Sequence, residues 1–190
     1  GIICVSGAVK KRFDQLPFFD KSKALVVGKG HDPTWYANIE PVDLEAEFDI
    51  PPERTTIIVV ANARRMKGMD YLGTAIGRLP ADLGLHFLFV GRGLETNKLG
   101  SDLSDSYYGH QFTFTGFRKD VLNIIAAADV SLLPSVKGEG LSKVLLESMF
   151  LARPTIMTDI DGNKGLGIGG ETALIVPARD DEALTEAMLN

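Results

Sequence analysis

Apolar residues along this chain come in short, nearly continuous runs separated by stretches with helical spacing. The runs at 56–61, Leu85–Val90, Val130–Leu133, 154–157 and 173–176 place apolar side chains on successive positions rather than alternate ones. Runs of that length predict strands buried on both faces. The run at 111–115 is shorter and alternates. Between the runs, 69–79 puts Leu72, Ala75, Ile76 and Leu79 on one helical face, and 121–128, the stretch after Ser142 and Asp181–Leu189 also read as helices. Strands alternating with helices predict an α/β domain, a doubly wound parallel sheet from about residue 55 onward. Ligands of such sheets bind beyond the carboxyl ends of the strands. The loops at 61–68, 91–95, 116–120, 134–142 and 158–170 are therefore the places to look for chemistry.

The first 54 residues follow a different pattern. Two short apolar runs, 2–5 and 24–27, flank a basic cluster of Lys10, Lys11 and Arg12 that reads as a solvated face. A polar segment with Pro33, Pro41, Pro51 and Pro52 then reads as a linker with one short helix at 42–48. The expected division is 1–31 as a remnant of a preceding domain, 32–54 as the linker, and 55–190 as the α/β domain. The chain starts without methionine, in a strand-like run, and stops at Asn190 within a helical pattern. Both features predict a piece of a longer protein.

With 190 residues, 45% of them hydrophobic, the chain has enough apolar side chains for a substantial core. Its net charge of -5 argues against a nucleic-acid groove or a polybasic membrane anchor. Cys4 is the only cysteine, which rules out an internal disulfide and a cysteine zinc site. No apolar run approaches the about 18 residues of a membrane span.

The loop after the first strand of the domain carries Arg64, Arg65 and Lys67 within four residues. Cations at a strand's carboxyl end, ahead of a helix N-terminus, suit a polyanion such as a phosphate; a solvated basic turn is the other reading. The loop Gly91-Arg92-Gly93 begins like a dinucleotide fingerprint, but Thr96 stands where the third glycine belongs, so a glycine turn for close packing fits better. No Gly-Lys-Ser or Gly-Lys-Thr is present, which excludes a P-loop. Gly116 and Phe117 could seat a base or simply open a helix. Asp159, Asp161 and Asn163 read as a polar turn rather than a metal site, and His31, His86 and His110 have no metal-like spacing.

The most informative stretch runs from Glu139 to Glu147. Gly140, Leu141 and Ser142 are expected to leave their amides unpaired at the first turn of a helix, an anion or hydroxyl site. Glu147 stands among Val144, Leu145, Leu146 and Met149, where an acid is costly to bury without a partner. It either faces a ligand or forms a weak i,i+4 pair with Lys143.

The two glutamates, with seven residues between them, resemble the E-x7-E motif of retaining GT-B glycosyltransferases of the group 1 (GT4-type) family. The strand at 127–135, Lys67-Gly68, Val90-Gly91-Arg92-Gly93 and Thr115-Gly116 match further landmarks of that family in order, so the resemblance runs from Thr56 to Asn190. The runs at 2–5 and 24–30 resemble the closing strands of the family's N-terminal, acceptor-binding domain. The resemblance implies the donor-binding half of an enzyme that transfers a sugar from a nucleotide-sugar to a hydroxyl with retention, without a metal or other cofactor.

Position by position, it implies that Lys67 with Arg64 or Arg65 holds the diphosphate, because Asn62 occupies the family's usual arginine position. Glu147 would accept from ribose hydroxyls. Glu139, as the catalytic residue, and the amides of Gly140, Leu141 and Ser142 would face the donor sugar, and Phe117 and Arg118 would border the base. An acceptor glycan, lipid or small molecule would be supplied through the missing domain. Expected as well are a cytoplasmic location, or a peripheral one at the inner face of a membrane, and self-association through the strand edges of residues 1–30. The alternatives are a nucleotide-sugar epimerase of the same architecture and a non-catalytic Rossmann-like nucleotide-binding module.

Overall fold

A computed structural model describes residues 1–96, 112–138, 140–163 and 165–190. Its main sheet has six strands: β3 (Thr55–Val60), β4 (Leu85–Val90), β5 (Phe112–Phe114), β6 (Val130–Leu133), β7 (Thr155–Thr158) and β8 (Leu174–Val176). They lie side by side in the order β5-β4-β3-β6-β7-β8, and every neighbouring pair is parallel. The chain thus winds outward from β3 to one edge, returns, and winds outward to the other. That is the doubly wound order, and it leaves a crevice between β3 and β6 at their carboxyl ends.

The continuous apolar runs have a simple cause. Along β3, Ile57 and Val59 pack into one cluster with Leu72, Ile76, Phe87, Phe89 and Leu184. Ile58, one position on, packs into a second cluster with Leu88, Ile124, Ile125 and Ala128. Successive side chains of a strand point to opposite faces, so a sheet covered on both sides needs apolar residues at every position. The first face is covered by α3 (Met69–Gly77) and α6 (Asp181–Leu189), joined by Thr185 Oγ1 donating to the Ala75 carbonyl (3.2 Å) and by an Arg78–Asp181 ion pair at 2.7 Å. The second is covered by α4 (Val121–Ala127). Each large apolar side chain buried this way contributes about 1.5–3 kcal/mol. At the amino ends of these two strands, opposite the crevice, Asp129 accepts the Thr56 N–H through Oδ2 (2.8 Å) and donates its own N–H to the Thr56 carbonyl (3.0 Å), which sets the β3–β6 register.

The segment expected to be a linker is more closely attached. Its helix α2 (Leu44–Phe48) is capped by Asp43, whose Oδ1 accepts from Ala46 N–H (3.0 Å), and is ended by Asp49 at a left-handed φ of 55°. Ile50 is fully buried, and Val42, Leu44 and Phe48 pack with it against α4. Residues 42–50 therefore belong to the second face of the sheet. Prolines hid this, because they mark irregular backbone and not exposure.

In the first thirty residues, β1 (Ile2–Cys4) pairs in parallel with β2 (Ala24–Val26), forming a separate two-stranded sheet. The basic cluster between them lies on a helix that the charge pattern had concealed, α1 (Gly7–Asp14). Ser6 caps it, and a Lys10–Asp14 pair at 2.9 Å braces it.

Candidate functional site

Helix α5 (Lys143–Phe150) follows β6 and carries Glu147. Ser142 is its N-cap: backbone φ -73° and ψ 117°, with Oγ accepting from the Leu145 N–H at 3.4 Å. The helix thus begins one residue later than the amides of Gly140 to Ser142 would require. Its leading amides are those of Lys143 and Val144, and both residues line a cavity of about 590 Å³. The expectation that residues 140–142 supply first-turn amides is corrected by this cap. Glu139 lies outside the described residues.

The cavity opens at the carboxyl ends of β3 and β4. Asn62, Lys67, Arg92, Phe117, Arg118, Lys143 and Glu147 bring its polar and aromatic groups. Glu147 is 4% exposed although it lies at the wall of an open cavity. Its Oε1 accepts from Lys143 Nζ at 2.5 Å, while the Lys143 side chain is 63% exposed. Ser148, next on the helix, donates to Ser131 Oγ of β6 at 2.8 Å, which holds the Glu147 turn against the sheet. Behind the helix, Tyr36 stacks on Phe150 at 4.8 Å between ring centroids and hydrogen-bonds with His31. Burial, together with the negative charge of Glu147, holds the Tyr36 phenol above its ordinary pKa.

The loops of the cavity floor are tied to one another. Ala61 N–H donates to Val90 O (2.9 Å), Ala63 N–H to Arg92 O (2.9 Å), Gly91 N–H to Gly116 O (2.8 Å), and Val136 N–H to Met66 O (2.9 Å). The Arg92 N–H donates to the Asn62 side chain at 3.0 Å. Two glycines make this stitching possible. A Cβ on Gly91 (φ 144°) would lie 1.7 Å from the Ala61 carbonyl oxygen, and one on Gly68 (φ 71°) would lie 1.9 Å from that of Pro134.

The structure sorts the candidate cations. Lys67 lines the cavity, whereas Arg64 and Arg65 are exposed and are not among its lining residues. Lys143 and Arg92 stand at the cavity with Lys67 instead. Arg92 lies in the glycine turn after β4, and as a cation at a strand's carboxyl end it carries the same sequence signal as the loop at 61–68. Arg118 reaches the cavity wall, but its guanidinium is engaged by Asp120 (2.8 and 2.5 Å) and Glu47 (2.5 Å) and lies over the Phe48 ring. Those two carboxylates raise the Arg118 pKa, and Arg118 lowers that of Asp120. Gly140 meets the first thirty residues: its carbonyl accepts from Ser6 Oγ at 2.6 Å. Among the described residues, no group of three His, Cys, Asp or Glu side chains could hold a metal ion, and no helix is long and apolar enough to cross a membrane.

Residues 54–190 match the family model described as glycosyl transferases group 1. The chain belongs to that family. The chain spans about a third to a half of the length of the curated relatives it matches. The lipopolysaccharide core biosynthesis glycosyltransferase LpsE of Rhizobium meliloti (strain 1021) is 28% identical over 187 residues, 98% of this chain and 52% of that protein. Among solved structures, a glycosyltransferase from Rickettsia africae ESF-5 superposes with a TM-score of 0.88 at 21% identity, over 98% of this chain and 51% of that one. HepE of Anabaena, in complex with UDP and glucose, gives 0.83 at 19% identity over 97% and 51%. At these identities the likeness carries the fold: a Rossmann-like GT-B domain, covering about half of a two-domain GT-B enzyme.

Proposed function

We propose that this chain is the donor-binding half of a retaining, GT4-type glycosyltransferase that moves a sugar from a nucleoside diphosphate sugar to a hydroxyl acceptor. The observation that carries the reading is the buried Glu147 carboxylate in a cavity that also gathers Lys67, Arg92 and Lys143 at the carboxyl edge of the parallel sheet. A buried acid with an exposed lysine partner adds little stability, so a ligand role accounts for it better than a structural one.

In this reading Glu147 accepts hydrogen bonds from ribose hydroxyls, and Lys143 turns from Glu147 toward phosphate. Lys67, Lys143 and the leading amides of α5 neutralise the diphosphate, whose charge grows as the glycosidic bond breaks. Lys67, held in a tied loop, and the helix amides do this without reorganising, which lowers the barrier to departure. The leaving phosphate takes the acceptor proton on the face it vacates, and the sugar is transferred with retention. Glu139 and the residues up to Ser142 face the sugar. The acceptor arrives through a partner domain built onto residues 1–31, with 32–41 joining the two, in an enzyme that works in the cytoplasm or at the inner membrane face.

Isothermal titration of the chain with UDP, GDP and ADP tests the reading. At least one should bind, and Glu147→Gln should weaken that binding by about tenfold or more, the value of one lost charge-assisted hydrogen bond. No heat with any of the three would overturn it.

A further inference from the structure

The basic segment of α1 and the polar turn after β7 have no part in the donor cavity, yet the fold brings them together. A second cavity, of about 370 Å³, opens at the carboxyl ends of β6, β7 and β8 and shares no lining residue with the first. That volume lies within the range of about 300–1,000 Å³ common for small-molecule sites. Its charged residues are Arg12 of α1, Lys137 of the loop after β6, Asp159 and Asp161 of the loop after β7, and Arg179 of the loop after β8. Helix α1 is held there by Ser6, whose Oγ donates to the Gly140 carbonyl, and by Val9, whose Cγ2 would lie 3.1 Å from a Cβ on Gly140. Arg12, three residues after Val9, is on the same helix face. The loops are tied to one another: Thr158 Oγ1 donates to the Ser135 carbonyl (2.5 Å), the Asp159 N–H to the Val176 carbonyl (2.7 Å), and the Asn163 side chain to the Thr158 carbonyl (3.1 Å). Arg179 takes a left-handed φ of 67°, a conformation that glycine adopts freely and arginine only under strain. Among the described residues no ion pair engages Arg12, Lys137 or Arg179, although two carboxylates line the same cavity; Lys10, also on α1, is by contrast paired with Asp14.

We infer that this second cavity binds an anionic sugar, one that carries a carboxylate or a phosphate group. Like charges from three separate segments around one cavity repel one another, and an anion between them relieves the repulsion. The guanidinium forks of Arg12 and Arg179 suit the paired oxygens of either group. Asp159 and Asp161 oppose a bare anion but suit hydroxyls, because an ionised carboxylate is acceptor-only and takes several hydrogen bonds at once. A wall of cations and carboxylates thus matches a ligand with an anionic group on one side and hydroxyl donors on the other. The two cavities open at the same edge of the sheet, on either side of the β3–β6 crevice. In the transferase proposed above, this ligand is the charged unit of the acceptor, and that assignment alone rests on the donor-cavity reading.

The test is titration of the isotope-labelled chain, followed by its amide chemical shifts, with glucose 6-phosphate, glucuronate, glucose, inorganic phosphate and UDP. Glucose 6-phosphate or glucuronate should bind at least about tenfold more tightly than glucose or inorganic phosphate and shift the amides of Lys137, Gly138 and Arg179. The tighter of the two names the anion. Arg179→Gly keeps the left-handed turn, which glycine favours, and Lys137→Gln removes a charge at an exposed position. Each should weaken the anionic sugar by about fivefold or more and leave UDP affinity within about twofold. Glucose or inorganic phosphate binding as tightly as the anionic sugars would overturn the inference, as would anionic-sugar affinity unchanged in both variants. Binding of UDP without either anionic sugar would overturn it alone. Binding of an anionic sugar without UDP would overturn the donor-cavity reading and the acceptor assignment but not the site, and binding of neither would overturn both. The wild-type rankings decide the point even where a variant is poorly folded.

Discussion

Replacing Glu147 by methionine separates a ligand role from a structural one. The Glu147 side chain is 5% exposed and its partner Lys143 is 63% exposed. The acid therefore bears most of the desolvation cost. An i,i+4 pair of this kind returns only about 0.3–0.5 kcal/mol. Methionine has nearly the same volume, keeps good helix propensity, and can lie along the apolar neighbours of α5 without a charge to solvate. Swaps of buried ion pairs for apolar residues are often neutral or stabilising by about 1–4 kcal/mol, and an exposed partner puts this one near the lower end. A gain of about 1 kcal/mol corresponds to about 2–4 °C in Tm for a chain of this size. Binding should move the other way. Two ribose hydrogen bonds to a carboxylate, at about 1.5–3 kcal/mol each, amount to a loss of a hundredfold or more in affinity for the preferred nucleoside diphosphate. Circular dichroism melts and calorimetry on the same preparation read both quantities. A Tm lowered by more than about 5 °C, with nucleotide affinity unchanged, would refute the reasoning and make Glu147 a structural residue.

Three further perturbations probe the surrounding framework. Gly91→Ala forces a Cβ to 1.7 Å from the Ala61 carbonyl oxygen, and strain plus overpacking should cost about 2–6 kcal/mol in urea denaturation; a loss under about 1 kcal/mol would mean that the loop adjusts easily. Lys67→Ala should weaken GDP, UDP and ADP by a common factor and flatten the salt dependence of binding, because a phosphate contact carries no information about the base; a change in base ranking would contradict that role. Arg118 holds the Asp120 carboxyl below its ordinary value, so the contribution of Asp120 to stability is full above the unfolded pKa of about 3.9 and is lost as pH falls through the lower, folded one. The Tm difference between wild type and Asp120→Asn should therefore shrink as pH drops from 7 toward 3, and a difference that grew on acidification would reverse the assignment.

Sequence alone determined the strands, the burial of the central ones on both faces, and the edge of the sheet where chemistry belongs; the run at 173–176 is the exception, because β8 is an edge strand and Leu174 and Ile175 are each 38% exposed. Those properties depend on local periodicity: an unbroken apolar run such as Leu85–Val90 has few other uses than a central parallel strand. It also singled out Glu147 and Lys67, because an acid in an apolar helix and a lysine at a strand's end stand out without coordinates. Tertiary structure decided which side chains share the cavity. Arg92 and Asn62 are thirty positions apart and meet only because β3 and β4 are neighbours. Ser6 and Gly140 are 134 apart and meet through the docking of α1 on the loop before α5. Arg64 and Arg65 looked equivalent to Lys67 along the chain, yet the short turn from Arg65 to Lys67 directs only Lys67 to the cavity wall. Spacing in sequence records what each element needs for its own burial. It does not record which non-adjacent strands will lie side by side, and in a parallel sheet that adjacency assembles the site.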